Sequence, residues 1–203
     1  MNFEKHYREI FANFGYPLTS SSGCTKAELA KVEKSLGIKI PAALRAYALV
    51  AGRERRFNRS FQQWLPPAKW TVDRKRLVFM DENQSVVNWG VSLTGPDPVV
   101  WQRINDDESP WQRECRRCSE FIAVILHYNA VGGGLEFIEH GDGTTPKLLR
   151  RVKARFKCYG TANGMTAYSR PNQVICIQPK MFVMGGGKTQ RDLDLMLAEL
   201  SAE

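Results

Sequence analysis

No hydrophobic run in this chain approaches the ~18 residues that a membrane-spanning helix requires. Its start, Met1-Asn2-Phe3-Glu4-Lys5-His6, lacks the cationic segment and apolar stretch of a secretory signal, so a cytoplasmic protein is expected. Histidine is scarce: His6, His127 and His140 are the three, and no two stand at metal-binding spacing. No Gly-x-Ser-x-Gly or His-Glu-x-x-His pattern occurs. The five cysteines, Cys24, Cys115, Cys118, Cys158 and Cys176, are odd in number and irregularly spaced, which excludes a disulfide framework. Cys115-Arg-Arg-Cys118 stands alone, whereas structural zinc needs four convergent ligands. These absences leave no catalytic set, no cofactor and no metal to expect.

What is present is enough for a core. Among 203 residues, 43% are hydrophobic and 10% aromatic, so the chain need not rely on disulfides or metal to fold and is not a disordered segment. The net charge of +8 is uneven. Residues 1–60 carry 11 basic and 5 acidic side chains, residues 61–140 carry 8 and 11, and residues 141–203 carry 10 and 5. An acidic middle between basic ends argues against a uniformly basic nucleic-acid coat while allowing a basic patch.

Hydrophobic periodicity orders the elements. Tyr7, Ile10, Phe11 and Phe14 predict a first helix stopped by Gly15. Thr25-Lys26-Ala27-Glu28 is a capping box for a second, and Pro41 opens a third with Leu44, Tyr47, Ala48 and Ala51 inward. The period then falls to two. Strands are expected at 76–80, 86–93 and 98–101, with a polar turn over 81–85, while 111–114 reads as too polar for a strand. The broad apolar stripe of 118–131 predicts a helix buried on more than one side, with His127 as a packing residue.

Gly132-Gly133-Gly134 marks the boundary between a core of 1–134 and a strand-rich extension of 135–203, read as one domain with it. In the extension, 151–158 alternates cation and apolar residue and predicts a strand with Arg151, Lys153, Arg155 and Lys157 on one face. Short strands follow at 166–169, 173–178 and 181–184. Gly185-Gly186-Gly187-Lys188-Thr189 invites a phosphate-loop reading, but Phe182 occupies the position where that motif needs glycine. It reads as a glycine-rich connection before a last helix capped by Thr189. Helices, strands, a helix, strands and a helix make the chain α+β with a mainly antiparallel sheet.

The stretch Glu33-x-x-Leu36-Gly37-Ile38-Lys39-Ile40-Pro41-x-x-Leu44-Arg45-x-Tyr47-x-Leu49-x-x-Gly52 resembles the N-terminal signature of the SUKH superfamily, the Smi/Knr-type proteins. Phe79-x-Asp81-Glu82-Asn83-Gln84, Trp89-Gly90, Asp97-Pro98-x-Val100 and Ser119-Glu120-Phe121 are similar to its later landmarks, over roughly residues 25–131. The resemblance implies helices on a curved sheet, no catalysis, and a protein partner. In bacterial members that partner is a polymorphic toxin, often a nuclease, neutralised by direct binding in the cytoplasm. The positive charge is a departure, because partners of basic nucleases are usually acidic. Asp81, Glu82, Asp106, Asp107 and Glu108 are the candidates for a local acidic face, and Trp89 and Trp101 for aromatic contacts, although both rings can equally be core. The alternative function is nucleic-acid or polyanion binding through Arg151, Lys153, Arg155 and Lys157, helped by the cationic loop 53–59. A third is a thiol hydrolase using Cys115 or Cys118 with His127.

Overall fold

A computed structural model describes residues 1–106 and 108–201. The chain opens with α1 (Phe3–Asn13), α2 (Lys26–Leu36) and α3 (Ala42–Ala51). The capping box at α2 is formed: the Glu28 N–H donates to Thr25 Oγ1 at 3.1 Å, and the Thr25 N–H to Glu28 Oε2 at 2.7 Å. Gly37 ends α2 at φ 65°, a left-handed cap that glycine takes without a Cβ clash. Glu33 then holds the corner into α3. Its Oε1 accepts the Ile40 N–H at 3.1 Å and lies 3.9 Å from Arg45 Nε.

Six strands make the first sheet: β1 (Gln63–Trp64), β2 (Thr71–Asp73), β3 (Arg76–Asp81), β4 (Val87–Ser92), β5 (Val100–Ile104) and β6 (Gln112–Cys115). Its order is β1-β3-β4-β5-β6, with β2 sharing the outer side of β3, and every pairing is antiparallel. The polar segment before Cys115, expected to be irregular, is therefore the edge strand β6. An edge strand has one side open to water and tolerates polar residues that a central strand would not.

α4 (Cys118–Asn129) follows, with Cys118, Ser119, Phe121 to His127 and Asn129 all buried. Asp97 caps it from another loop, accepting the Ser119 N–H at 2.7 Å and Oγ–H at 2.6 Å. On one side Phe121 meets Phe79 and Trp89 of the first sheet, at 6.0 and 6.1 Å between ring centroids. On the other, α4 packs against β8, β9 and β10 of a second sheet described next. The helix ends in a π-type turn at Ala130–Gly134, where Gly133 stands at φ 123°.

The remainder is β7 (Phe137–Asp142), α5 (Pro146–Arg155), β8 (Lys157–Ala162), β9 (Met165–Arg170), β10 (Gln173–Gln178), β11 (Phe182–Gly187) and α6 (Gln190–Ser201). The five strands form an antiparallel sheet in the order β7-β11-β10-β9-β8. Alternation along β10 shows how it is used: Val174 and Cys176 join the core around α4, while Ile175 and Ile177 pack with Val152, Phe156, Leu193 and Met196 of the α5–α6 side. Residues 135–201 thus share one core with the first 134, and the architecture is α+β in two antiparallel sheets.

Two expectations change here. Residues 151–155 belong to helix α5, not to a strand. The i, i+2 alternation of cations masked Leu148, Val152 and Phe156, spaced four apart, and Leu149, which give the helical apolar stripe. The glycines 185–187 are not a connection either but the end of β11. A Cβ on Gly186 would lie 2.8 Å from Leu135 Cδ1, and one on Gly187 2.5 Å from the Leu193 backbone N. They are small so that α6 and the π-turn can sit close against the strand. At Gly185 the obstacle is only the flexible end of Met196, at 2.7 Å. Gly187→Ala is accordingly expected to cost ~1–3 kcal/mol in urea unfolding, as overpacking against backbone does, and Gly185→Ala clearly less. Equal losses would show that α6 is not docked as described.

Candidate protein-binding surfaces

Strand register sorts the first sheet into two faces. Arg76 pairs with Ser92, Val78 with Gly90, Gly90 with Trp101, and Asn88 with Arg103, so these residues share the outer face. Leu77, Phe79, Trp89, Val91 and Val100 point the other way into the core. Across the outer face the Arg76 guanidinium stacks 4.3 Å from the Trp101 ring centroid and 5.6 Å from that of Trp111. Arg103 stacks 5.2 Å from Trp111. Gly90 makes this possible, because a Cβ there would stand 2.8 Å from Trp111 Cη2.

Both indoles are anchored by their N–H groups: Trp101 Nε1 donates to Ser92 Oγ at 2.8 Å, and Trp111 Nε1 to Asp73 Oδ2 at 2.7 Å. Asp73 also lies 3.5 Å from Arg103 Nη1. The result is a ladder of alternating indole and guanidinium, half-buried and held in one geometry. Each such cation–π contact contributes about 0.5–1 kcal/mol at a solvated site. Arg74 and Lys75 in the β2–β3 turn, and Arg113 opposite Trp101, are exposed beside it, so the face is cationic. Trp and Arg are the residues that dominate binding energy at protein interfaces, and rotamers fixed in advance lower the entropy cost of association.

The residues singled out from sequence are distributed differently from the expectation. Trp89 is only 6% exposed and packs on Phe121, so it is core and not a contact. It pairs with Gln102, one residue along from Trp101, and therefore lies on the opposite face of the sheet. Asp81 accepts the Asn88 Nδ2–H at 2.7 Å, and Glu82 accepts backbone N–H groups of Gln84 and Val86 at 2.8 and 3.3 Å. Asp106 accepts from Ser109 and from the Glu108 N–H. Asn105 ties the β5–β6 loop to the β3–β4 turn, through Val86 O at 2.8 Å and Ser85 O at 3.0 Å. Asp81, Glu82, Asp106 and Glu108 are thereby gathered at one end of the first sheet, while Asp107 lies outside the described residues. Trp111, Arg76 and Arg103 were missed, since nothing in a single sequence shows which face of a strand is covered.

The basic set Arg151, Lys153, Arg155 and Lys157 is not one face. Arg151 donates to Leu200 O at 2.8 Å, Arg155 lies 3.8 Å from Glu199, and Lys157 sits on β8 paired with Glu9. Lys153 instead joins Lys147 and Arg150 as exposed cations of α5. In the cationic loop, Arg53 is tied to Glu28 at 2.6 Å. Beside that pair a groove of about 420 Å³ runs between α2 and the Pro66–Trp70 turn, lined by Val32, Leu36, Pro67 and Trp70.

Buried groups hold their neutral forms. His127 Nδ1–H donates to Ala123 O at 2.7 Å, its Nε2 accepts from Ser169 Oγ at 3.0 Å, and burial lowers its pKa to about 3. Burial also raises the Cys115, Cys118 and Cys176 thiols, which disfavours the thiolate that nucleophilic chemistry needs. Among the described residues, no three His, Cys, Asp or Glu side chains converge as metal ligands. Nor is any described helix long and apolar enough to cross a membrane. No protein-family model, curated protein or solved structure matches the chain.

Glu114 of β6 faces inward between the two sheets, and desolvation alone raises its pKa from 4.5 to about 7. The folded chain therefore holds a proton that the unfolded chain has released between those values, and stability falls as pH rises through that window. Glu114→Gln is expected to melt higher than the parent above pH 7, with the difference closing below pH 4.5. Parallel thermal melts across that range check it, and a pH-independent difference would contradict it.

Proposed function

We propose that the chain is a non-enzymatic protein-binding module of SUKH type, a bacterial immunity protein that neutralises a toxin in the cytoplasm by covering its active surface. The observation that carries this reading is the Trp101–Arg76–Trp111–Arg103 ladder, a rigid, partly exposed aromatic and cationic surface on the open face of a sheet. The corner from Glu33 to Arg45, where the resemblance is densest, supports it as a scaffold. The partner surface that complements this ladder is acidic, because Arg74, Lys75, Arg76, Arg103 and Arg113 outweigh Asp73 there. That separates this chain from acidic immunity proteins directed at basic nucleases.

Affinity capture from the native host, followed by titration of the captured toxin, tests the reading. Trp101→Ala is expected to weaken the complex by about 2 kcal/mol, roughly 30-fold, while lowering the thermal midpoint of the free protein by only a few degrees. Capture of no protein, or a cognate toxin left fully active, would count against it.

A second reading rests on Lys147, Arg150 and Lys153, exposed on α5 without a protein partner among the described residues. It is polyanion binding by a helix face instead of a strand. Binding to labelled duplex or single-stranded nucleic acid should then fall steeply with salt and weaken on Arg150→Glu. No binding at low salt removes it.

A further inference from the structure

The mouth between the two sheets holds a second site, on the opposite side of the first sheet from the ladder. An inner cavity of about 150 Å³ lies among Trp89, Glu114, Tyr128, Asn163, Gln178 and Phe182. It continues into an outer pocket of about 360 Å³, with Glu114, Ala162 and Asn163 common to both. Among the described residues, the side chains of Glu114, Tyr128, Asn163 and Gln178 make no hydrogen bond or ion pair. The Trp89 Nε1–H is fully buried and has no acceptor. The Tyr128 and Phe182 rings are stacked, with centroids 6.4 Å apart, and form one wall.

A desolvated carboxyl without a countercharge is costly, and proteins ordinarily pair such groups. Burial is the cause of the Glu114 shift, and no cation is paired with its carboxyl among the described residues. Arg113, next along β6, pairs with Trp101 and lines only the outer pocket. The inner cavity therefore offers a carboxylate, amide and hydroxyl oxygens and aromatic faces with no cation in its lining, whereas Arg113 and Arg116 lie in the outer pocket together with Glu120. That set complements a cation that carries several N–H donors and has an apolar tail.

We propose that this cleft binds an organic ammonium ion, R–NH3+, with Glu114 as its counter-ion, Asn163 and Gln178 as further acceptors, and Tyr128 and Phe182 as the aromatic wall. A carboxylate engaged by the ammonium on one oxygen keeps lone pairs for the Trp89 N–H, the donor otherwise left without an acceptor. The ammonium group comes either from a free alkylamine or from a lysine side chain of a protein. The site is independent of the outer face and stands whether or not that face binds a toxin.

The full-length chain labelled with nitrogen-15, held at a pH above 7 so that Glu114 is ionised, tests this by following the Trp89 indole N–H resonance. Three probes are compared: n-butylammonium chloride, n-butanol, and a short capped peptide with one lysine. Saturable shifts with the ammonium probe, none with butanol, and at least tenfold weaker binding to Glu114→Gln are expected. That variant is isosteric, and its thermal midpoint reports separately that it is folded. Tighter binding of the peptide than of butylammonium assigns the site to a protein lysine, and the reverse order to a free amine. No saturable shift with either cation, an equal response to butanol, or undiminished binding to Glu114→Gln overturns the proposal and leaves the cleft as a water-filled gap.

Discussion

Burial of α4 on every side is the constraint from which the rest follows. Phe121, Ile122, Val124 and Leu126 are fully buried, and each such side chain contributes about 1.5–3 kcal/mol only while both flanks are covered. A single sheet covers one flank. The second sheet is therefore needed by the first 134 residues and is no independent appendage. Its strands then expose an apolar back, with Ile175 and Ile177, which requires α5 and α6 in turn. The first sheet has no such requirement, because its outer face is built mainly from Arg, Trp, Asn and Ser, and that face is left uncovered.

The residues that carry the family resemblance mostly serve the scaffold. Glu33 receives the Ile40 N–H and faces Arg45, Gly37 takes the left-handed cap, Asp97 caps α4, and Trp89 packs on Phe121. Gly90 alone links scaffold to surface, since its missing side chain lets the Trp111 ring lie across the sheet. The candidate binding residues lie largely outside the motifs. Scaffold and surface are thus built from largely different residues, and the frame of a fold does not by itself fix what its surface binds.

Charge follows the same division. The net +8 is not spread evenly, for several cations are used internally: Arg53 with Glu28, Lys157 with Glu9, and Arg170 with Glu199. Such exposed pairs contribute little stability individually. Their consequence is for the surface potential, since each cation is offset by the acid beside it. Of the other exposed cations, some lie on the ladder face and on α5 and others on α1, α2 and the 53–59 loop, with an acidic end at the β3–β4 and β5–β6 turns.

The sequence by itself determined the elements that depend on local interactions. The capping box at Thr25, the corner at Gly37 and Pro41, the strands at 76–80 and 173–178 and the broadly apolar helix read at 118–131 were legible, because caps, turn residues and hydrophobic period act within a few residues. So was the α+β class. Where two periods competed the signal misled: cations at every second position of 151–157 read as a strand, and only the sheet beneath Leu148, Val152 and Phe156 selects the helix. The polar β6 and the triple glycine of β11 were hidden for a related reason, as an edge position and a close-packed helix are properties of neighbours distant in sequence. Tertiary structure alone decided which tryptophan is core and which is surface. Trp89 and Trp101 sit on paired strands, but a one-residue difference in register sends them to opposite faces. It also brought Glu114 into the cleft between the sheets, where removal of water, an effect no local motif encodes, sets the character of its carboxyl.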